Sequence, residues 1–211
     1  MMLRLKEKEV DEMLYRWDAP FRLALGENRE LVMLALADGG SRILDLGAGT
    51  GFITLEAAKR IGDTGEIVAV DIVDSFIDIL RKKAEAMGVA QRIRTVISVA
   101  DNLPLPDAYF DAVVSCSLFH EIDNLAGVFA EVRRVLKPGG KFVFSDFRRL
   151  PDPVKTEQIE AWYARQSDPE DEEVHLRYSI EEVRDLLELN RFTRIDINPW
   201  VEYHMRGVAF K

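Results

Sequence analysis

Short apolar runs alternate along this chain with longer segments whose apolar positions recur at helical spacing. Arg42 to Leu46, Glu66 to Asp71, Ile93 to Val99, Phe110 to Ser115 and Lys141 to Phe147 read as strands, the third rich in β-branched residues. Between them the pattern predicts helices over Thr50 to Ile61, from a cap at Asp74 or Ser75 to about Met87, and from a cap at Asn124 to Leu136. Gly88 stops the second of these, and Lys137-Pro138-Gly139-Gly140 stops the third and turns the chain. Strands alternating with helices of crossover length predict an α/β fold: a doubly wound, mostly parallel sheet with helices on both faces. Ahead of this core, Lys6 to about Leu36 reads as two helices broken at Pro20, the second with Leu31, Leu34 and Ala35 on one face. Behind it, Thr156 to Gln166 reads as a helix, and Ser179-Ile180-Glu181-Glu182 is a capping box opening a helix to about Leu189. Phe192 to Trp200 and Glu202 to Phe210 alternate as an antiparallel hairpin at one sheet edge. No internal repeat or low-complexity linker divides the chain, so residues 1–211 are expected to form a single domain.

The first strand runs into glycines at 47, 49 and 51, a turn that needs backbone dihedrals closed to residues with a Cβ and that lets a ligand approach the main chain. The next strand ends in Asp71, where nucleotide-binding folds place an acid against ribose hydroxyls. The dinucleotide fingerprint has its third glycine one position later than this chain. With Asp45 just ahead of the glycines, the stretch resembles the first motif of class I S-adenosylmethionine-dependent methyltransferases. The loop Asp101 to Pro106, the stretch Ser115 to Glu121 beyond the fourth strand, and the run Arg133 to Lys141 follow in the family's order, over roughly residues 40 to 150. The chain resembles the small-molecule, type 11 branch that includes the ubiquinone and menaquinone biosynthesis enzymes.

That resemblance implies a Rossmann-like methyltransferase fold and S-adenosyl-L-methionine as cofactor, divided into a helical lid (1–40), a cofactor core (41–150) and a substrate region (151–211). It implies cofactor contacts from Asp45, Gly47, Ala48, Gly49, Gly51, Asp71, Ile72 and Ser117, with Asp101 and Asn102 reading the adenine edge. Arg22 could meet the cofactor's carboxylate through a bidentate pair. The reaction implied is in-line displacement at the sulfonium methyl by a small-molecule acceptor. If a base is used, His120 is the first candidate, because it lies beyond the fourth strand and imidazole titrates near neutrality, and Glu121 is the second. Trp162, Tyr163 and His175 are candidates to line the acceptor pocket. A non-enzymatic cofactor-binding sensor or assembly protein stays open, as does a nicotinamide-dependent oxidoreductase, which the glycine spacing and the lack of an evident Tyr-x-x-x-Lys pair disfavour.

Composition narrows the partners. A net charge of −9 disfavours a nucleic-acid backbone as the main partner. Cys116 is the single cysteine, read as strand packing, so no intramolecular disulfide forms, and no metal site is expected. Met1 to Asp11 is charged, without an apolar signal-peptide core, and no run reaches the roughly eighteen apolar residues of a membrane span, so a cytoplasmic protein is expected. A homodimer is compatible with the sequence, which is silent on oligomeric state.

Overall fold

The computed structural model describes residues 26–36, 42–166, 176–201 and 203–211. Its elements are α1 (Glu27–Leu36), β1 (Arg42–Leu46), α2 (Thr54–Ala58), β2 (Glu66–Asp71), α3 (Asp74–Ala86), β3 (Ile93–Ile97), β4 (Phe110–Cys116), α4 (Leu125–Val135), β5 (Leu136–Phe147), α5 (Pro153–Gln166), α6 (Ile180–Leu189), β6 (Thr193–Trp200) and β7 (His204–Phe210). The strands form one 7-stranded sheet in the order β3-β2-β1-β4-β5-β7-β6. The first five are parallel, and β7 runs antiparallel to both β5 and β6, giving the predicted edge hairpin.

Period-two alternation sorts the strand residues onto two buried faces. Ile43, Ile67, Ala112, Val114 and Val143 pack with Leu31, Val32 and Ala35 of α1 and Ala57 and Ala58 of α2. Leu44, Leu46, Val68, Val113, Phe142 and Phe144 pack on the other side with α4 and α6 through Val128, Phe129, Val132, Val183 and Leu187. Helices therefore cover both faces, as a parallel sheet requires. The chain winds outward from β1 to β3 in one direction and from β4 to β5 in the other, so a topological switch point lies between β1 and β4.

Several elements differ from the sequence reading, each for a local reason. The first core helix begins at Thr54 rather than Thr50 because Gly49 and Gly51 hold φ of 52° and 103°, which keeps the chain in a turn. A Cβ on Gly51 would also lie 2.5 Å from Leu80 Cδ1, so this glycine lets α3 pack closely on the turn. Neither Asp74 nor Ser75 caps α3, whose N-cap is Val73 without a side-chain cap; the acid that meets the Val73 amide is Asp71, at 2.9 Å. Lys137 to Gly140 is a bulge inside β5 rather than a turn before it, since the pairing with β4 jumps from Phe110↔Leu136 to Ala112↔Lys141. On α1, Leu34 is exposed and Val32 is buried with Leu31 and Ala35. The Asn124 cap and the Ser179 capping box form as predicted. The predicted helix ahead of Pro20, with Arg22, lies outside the described residues. No helix among the described residues is long and apolar enough to cross a membrane.

Candidate functional site

The carboxyl ends of β1, β2, β3 and β4 open into a cavity of about 290 Å³ beside the switch point. Gly47, Asp71 and Ile72 form one side, Ser98 to Asp101 a second, and Leu118 with Glu121 to Asn124 a third. The glycine turn is fixed to the neighbouring strand, because the Gly47 and Ala48 amides both donate to the Val70 carbonyl at 2.9 Å. Gly47 sits at φ 74°, and a Cβ there would meet Leu118 Cδ1 at 3.0 Å, so a side chain would crowd the turn against the loop beyond β4.

Asp71 is held on both oxygens. The Gly49 amide donates to Oδ2 at 2.7 Å and the Val73 amide to Oδ1 at 2.9 Å. Burial pushes the Asp71 carboxyl above its ordinary value, opposed by those backbone hydrogen bonds. Each carboxylate oxygen has two lone pairs, so a hydroxyl-bearing ligand still finds acceptors there.

A second buried acid organises the loop beyond β4. Asp146, fully buried near the end of β5, accepts from the Leu118 and Phe119 amides at 2.6 and 2.7 Å on Oδ2. Its Oδ1 accepts from the Phe147 amide at 2.9 Å and meets His120 Nδ1 at 2.8 Å. His120 Nε2 lies 3.1 Å from Glu121 Oε1. Ser117, at φ 57°, makes the bend that turns Leu118 and Glu121 toward the cavity. Burial opposes the charge on His120, but the Asp146 carboxylate, the hydrogen bonds to Asp146 and Glu121 and the Glu121 charge together outweigh it and hold the imidazole at about 9.

This arrangement makes folding stability pH-dependent. Below the ordinary histidine value of 6.5, His120 is protonated in folded and unfolded chains alike and the ion pair contributes fully. As pH rises through about 9 the folded ring loses its proton and the contribution disappears. The urea midpoint is therefore expected to fall between about pH 7 and pH 9.5, by an amount worth a few kcal/mol. His120→Gln should flatten that limb, and a variant that keeps the wild-type slope would contradict the assignment.

The structure brings Gly47, Asp71, Ile72, Asp101 and Glu121 together around the cavity. Ala48, Gly49, Gly51, Asn102, Ser117 and His120 are not among the residues that line it. His120, first choice as a base, has both ring nitrogens engaged, Nδ1 by Asp146 and Nε2 by Glu121, and these two acids raise its pKa. Asp45 lies under the glycine turn, fully buried, with Thr54 Oγ1 donating to Oδ2 at 2.5 Å and Oδ1 without a hydrogen-bond partner among the described residues. Desolvation raises its carboxyl to about 7, moderated by the hydrogen bonds from Thr54. Trp162 is exposed on α5 and is not among the residues lining the cavity. Arg22, His175 and the side chain of Tyr163 lie outside the described residues. Asp146 and the apolar wall residues Val99, Ile122 and Val128 escaped the sequence reading, although Val99 lies two residues before Asp101 at the end of an apolar run. Among the described residues no cluster of His, Cys, Asp or Glu is arranged to hold a metal ion.

Residues 44–144 match the family model described as a methyltransferase domain, a span that contains the glycine turn, Asp71, Asp101 and the loop beyond β4. Over that span the chain is similar to the methyltransferases. Over 134 residues the chain is 34% identical to the ubiquinone/menaquinone biosynthesis C-methyltransferase of Stutzerimonas stutzeri, covering 64% of the chain and 52% of the relative. The chain spans about half the length of the curated relatives it matches. Among solved structures it resembles the YcgJ protein of Bacillus subtilis, with 26% identity, a TM-score of 0.69 and coverage of 82% of this chain and 70% of the other. A SAM-dependent methyltransferase from Aquifex aeolicus shares this fold over 98% of both chains, with a TM-score of 0.71 at 22% identity.

Proposed function

We propose that this chain binds S-adenosyl-L-methionine and transfers its methyl group to a small-molecule acceptor. The observation that carries the proposal is Asp71, pinned by the Gly49 and Val73 amides at the lip of a cavity with apolar walls, beside the switch point of a doubly wound sheet. The residues fit an adenosyl group. Asp71 accepts from ribose hydroxyls, Ile72, Val99, Leu118 and Val128 enclose a planar base, and Asp101 faces the cavity where an exocyclic amine can donate to it. The glycine turn and Asp45 beneath it support the amino-acid end.

S-adenosylmethionine supplies an activated sulfonium methyl, so the protein's task is alignment in a pocket shielded from water. The Asp146 and His120 pair fixes the bend that carries Leu118 and Glu121 to the cavity. Glu121 is then the group placed to receive a proton, at the carboxylate, from an acceptor that must lose one. His120 donates to Glu121 Oε1 and orients it. Because the curated relatives carry names of quinone-biosynthesis C-methyltransferases, electron-rich aromatic quinols are the first acceptor class to test. A cytoplasmic location, a single domain, and a lid formed by the N-terminal helices with Arg22 on the cofactor's carboxylate complete the proposal.

The test is calorimetric titration with S-adenosylhomocysteine beside NAD, followed by transfer of labelled methyl to a panel of quinols and other small metabolites. Micromolar binding of the first ligand, none of NAD, and label in a small-molecule product are expected. Absence of S-adenosylhomocysteine binding would overturn the cofactor reading, and binding without turnover on any acceptor would favour a sensor.

A further inference from the structure

The loop that carries Asp101 is held by a residue far from the cavity. Arg134, in the last turn of α4, reaches across to the segment between β3 and β4 and bonds it at three places. Its Nη2 donates to the Leu103 carbonyl at 3.0 Å, while Nη1 donates to the Leu105 carbonyl at 2.8 Å and to Asp107 Oδ1 at 2.6 Å. The Arg134 carbonyl accepts from the Ala108 amide at 3.0 Å. Glu131, one turn earlier, closes the clamp: it takes Nε and Nη2 of Arg134 on its two oxygens, both at 2.8 Å, and accepts from the Leu103 amide at 2.7 Å. The side chains of Leu103 and Leu105 are buried in the core beside α4, so the fork fixes the main chain of a segment whose side chains are already anchored.

The consequence falls on Asp101. Upstream, Ser98 Oγ lies 3.1 Å from the Asn102 carbonyl, and downstream the clamp begins at Leu103. Asp101 is therefore a short exposed span between two fixed points, with its position in the cavity wall set by them. A planar guanidinium with five donors in fixed directions can hold several carbonyls and a carboxylate at once, which an ammonium cannot. We propose that Arg134 is a positioning residue for base recognition, holding the loop so that Asp101 meets the edge of the bound nucleoside. This rests on the cofactor reading given above.

A merely structural Arg134 would change stability without changing which base is preferred, so the readout is selectivity. The full chain, wild type and variants, is titrated with S-adenosylhomocysteine and with S-inosylhomocysteine, in which an oxygen replaces the exocyclic amine, well below the melting temperature of each. A site built to hydrogen-bond a donor rejects the analogue that lacks it. Wild type is expected to favour the adenosyl ligand by about tenfold or more, the worth of one charge-assisted hydrogen bond. Arg134→Ala should reduce that ratio to within about threefold, as should Asp101→Ala, and the double variant should lose no more than either alone because the two act on one contact. Arg134→Lys, which keeps the charge and loses the fork, should give an intermediate ratio and serves if Arg134→Ala does not fold. A wild-type ratio retained in either folded Arg134 variant overturns the proposal, as does equal wild-type affinity for the two ligands. Wild type that binds neither ligand overturns the cofactor reading and this proposal with it.

Discussion

Asp71→Ala is expected to weaken S-adenosylhomocysteine binding by about 100-fold or more, the sum of two losses. The first is direct: a carboxylate that accepts from vicinal ribose hydroxyls makes charge-assisted hydrogen bonds, each worth roughly 1.5–3 kcal/mol. The second acts through the site's own architecture. The Gly49 amide, 2.7 Å from Asp71 Oδ2, and the Val73 amide, 2.9 Å from Oδ1, lose their acceptor together, so the glycine turn and the start of α3 both loosen around the ligand. Asp71→Asn separates the two, since one amide oxygen can still accept from Gly49 or Val73 while the charge is gone, and its affinity should fall between wild type and Asp71→Ala. Calorimetry checks both, with circular dichroism to establish that the variants are folded. Unchanged affinity in a folded Asp71→Ala would remove the observation on which the proposed function stands.

What the sequence made legible is what local chemistry determines. β1 and β2 have the predicted bounds because their residues are apolar on both faces and end in a glycine turn and an acid. The Ser179 capping box and the Asn124 cap form because a side-chain oxygen a few residues from an amide needs no tertiary partner. Local rules fail where distant parts of the chain meet. The Lys137 to Gly140 stretch has the composition of a turn, yet Gly139 and Lys211 are joined from amide to carbonyl at 3.2 Å and Lys137 Nζ lies 2.5 Å from Asp111 Oδ1, so the sheet absorbs it as a bulge. His120 was legible as a site residue but its pairing was not, because the carboxylate that raises its pKa lies 26 residues away at the end of another strand. In the same way the glycine spacing and Asp71 pointed to a nucleoside site, while the Arg134 clamp joins groups roughly thirty residues apart that no sequence pattern links.

Asp146→Ala is expected to be the most destabilising single substitution in the loop beyond β4, costing about 3–5 kcal/mol. The site is fully buried, so no water replaces the carboxylate, and four donors lose their partner at once: the amides of Leu118, Phe119 and Phe147 and Nδ1 of His120. Leaving a buried donor unsatisfied costs about 1–3 kcal/mol, and an imidazolium that keeps only Glu121 of its two carboxylate partners holds its proton less tightly. That loss supplies a second readout: the His120 titration, followed by NMR, should drop from about 9, because burial is then opposed by Glu121 alone. With Ser117 at φ 57° no longer tied down through Leu118 and Phe119, Glu121 loses its place on the cavity wall, and methyl transfer should fall even where the variant is folded. His120→Gln alone removes the charge but leaves the three amide contacts to Asp146, so it should cost less, and the double variant should cost less than the two singles summed because both dismantle one contact. An Asp146→Ala protein with the wild-type urea midpoint and an unmoved His120 titration would mean that the loop is held by its apolar packing, with Phe119 in the aromatic cluster of Phe129, Phe142 and Phe144, and not by the buried acid.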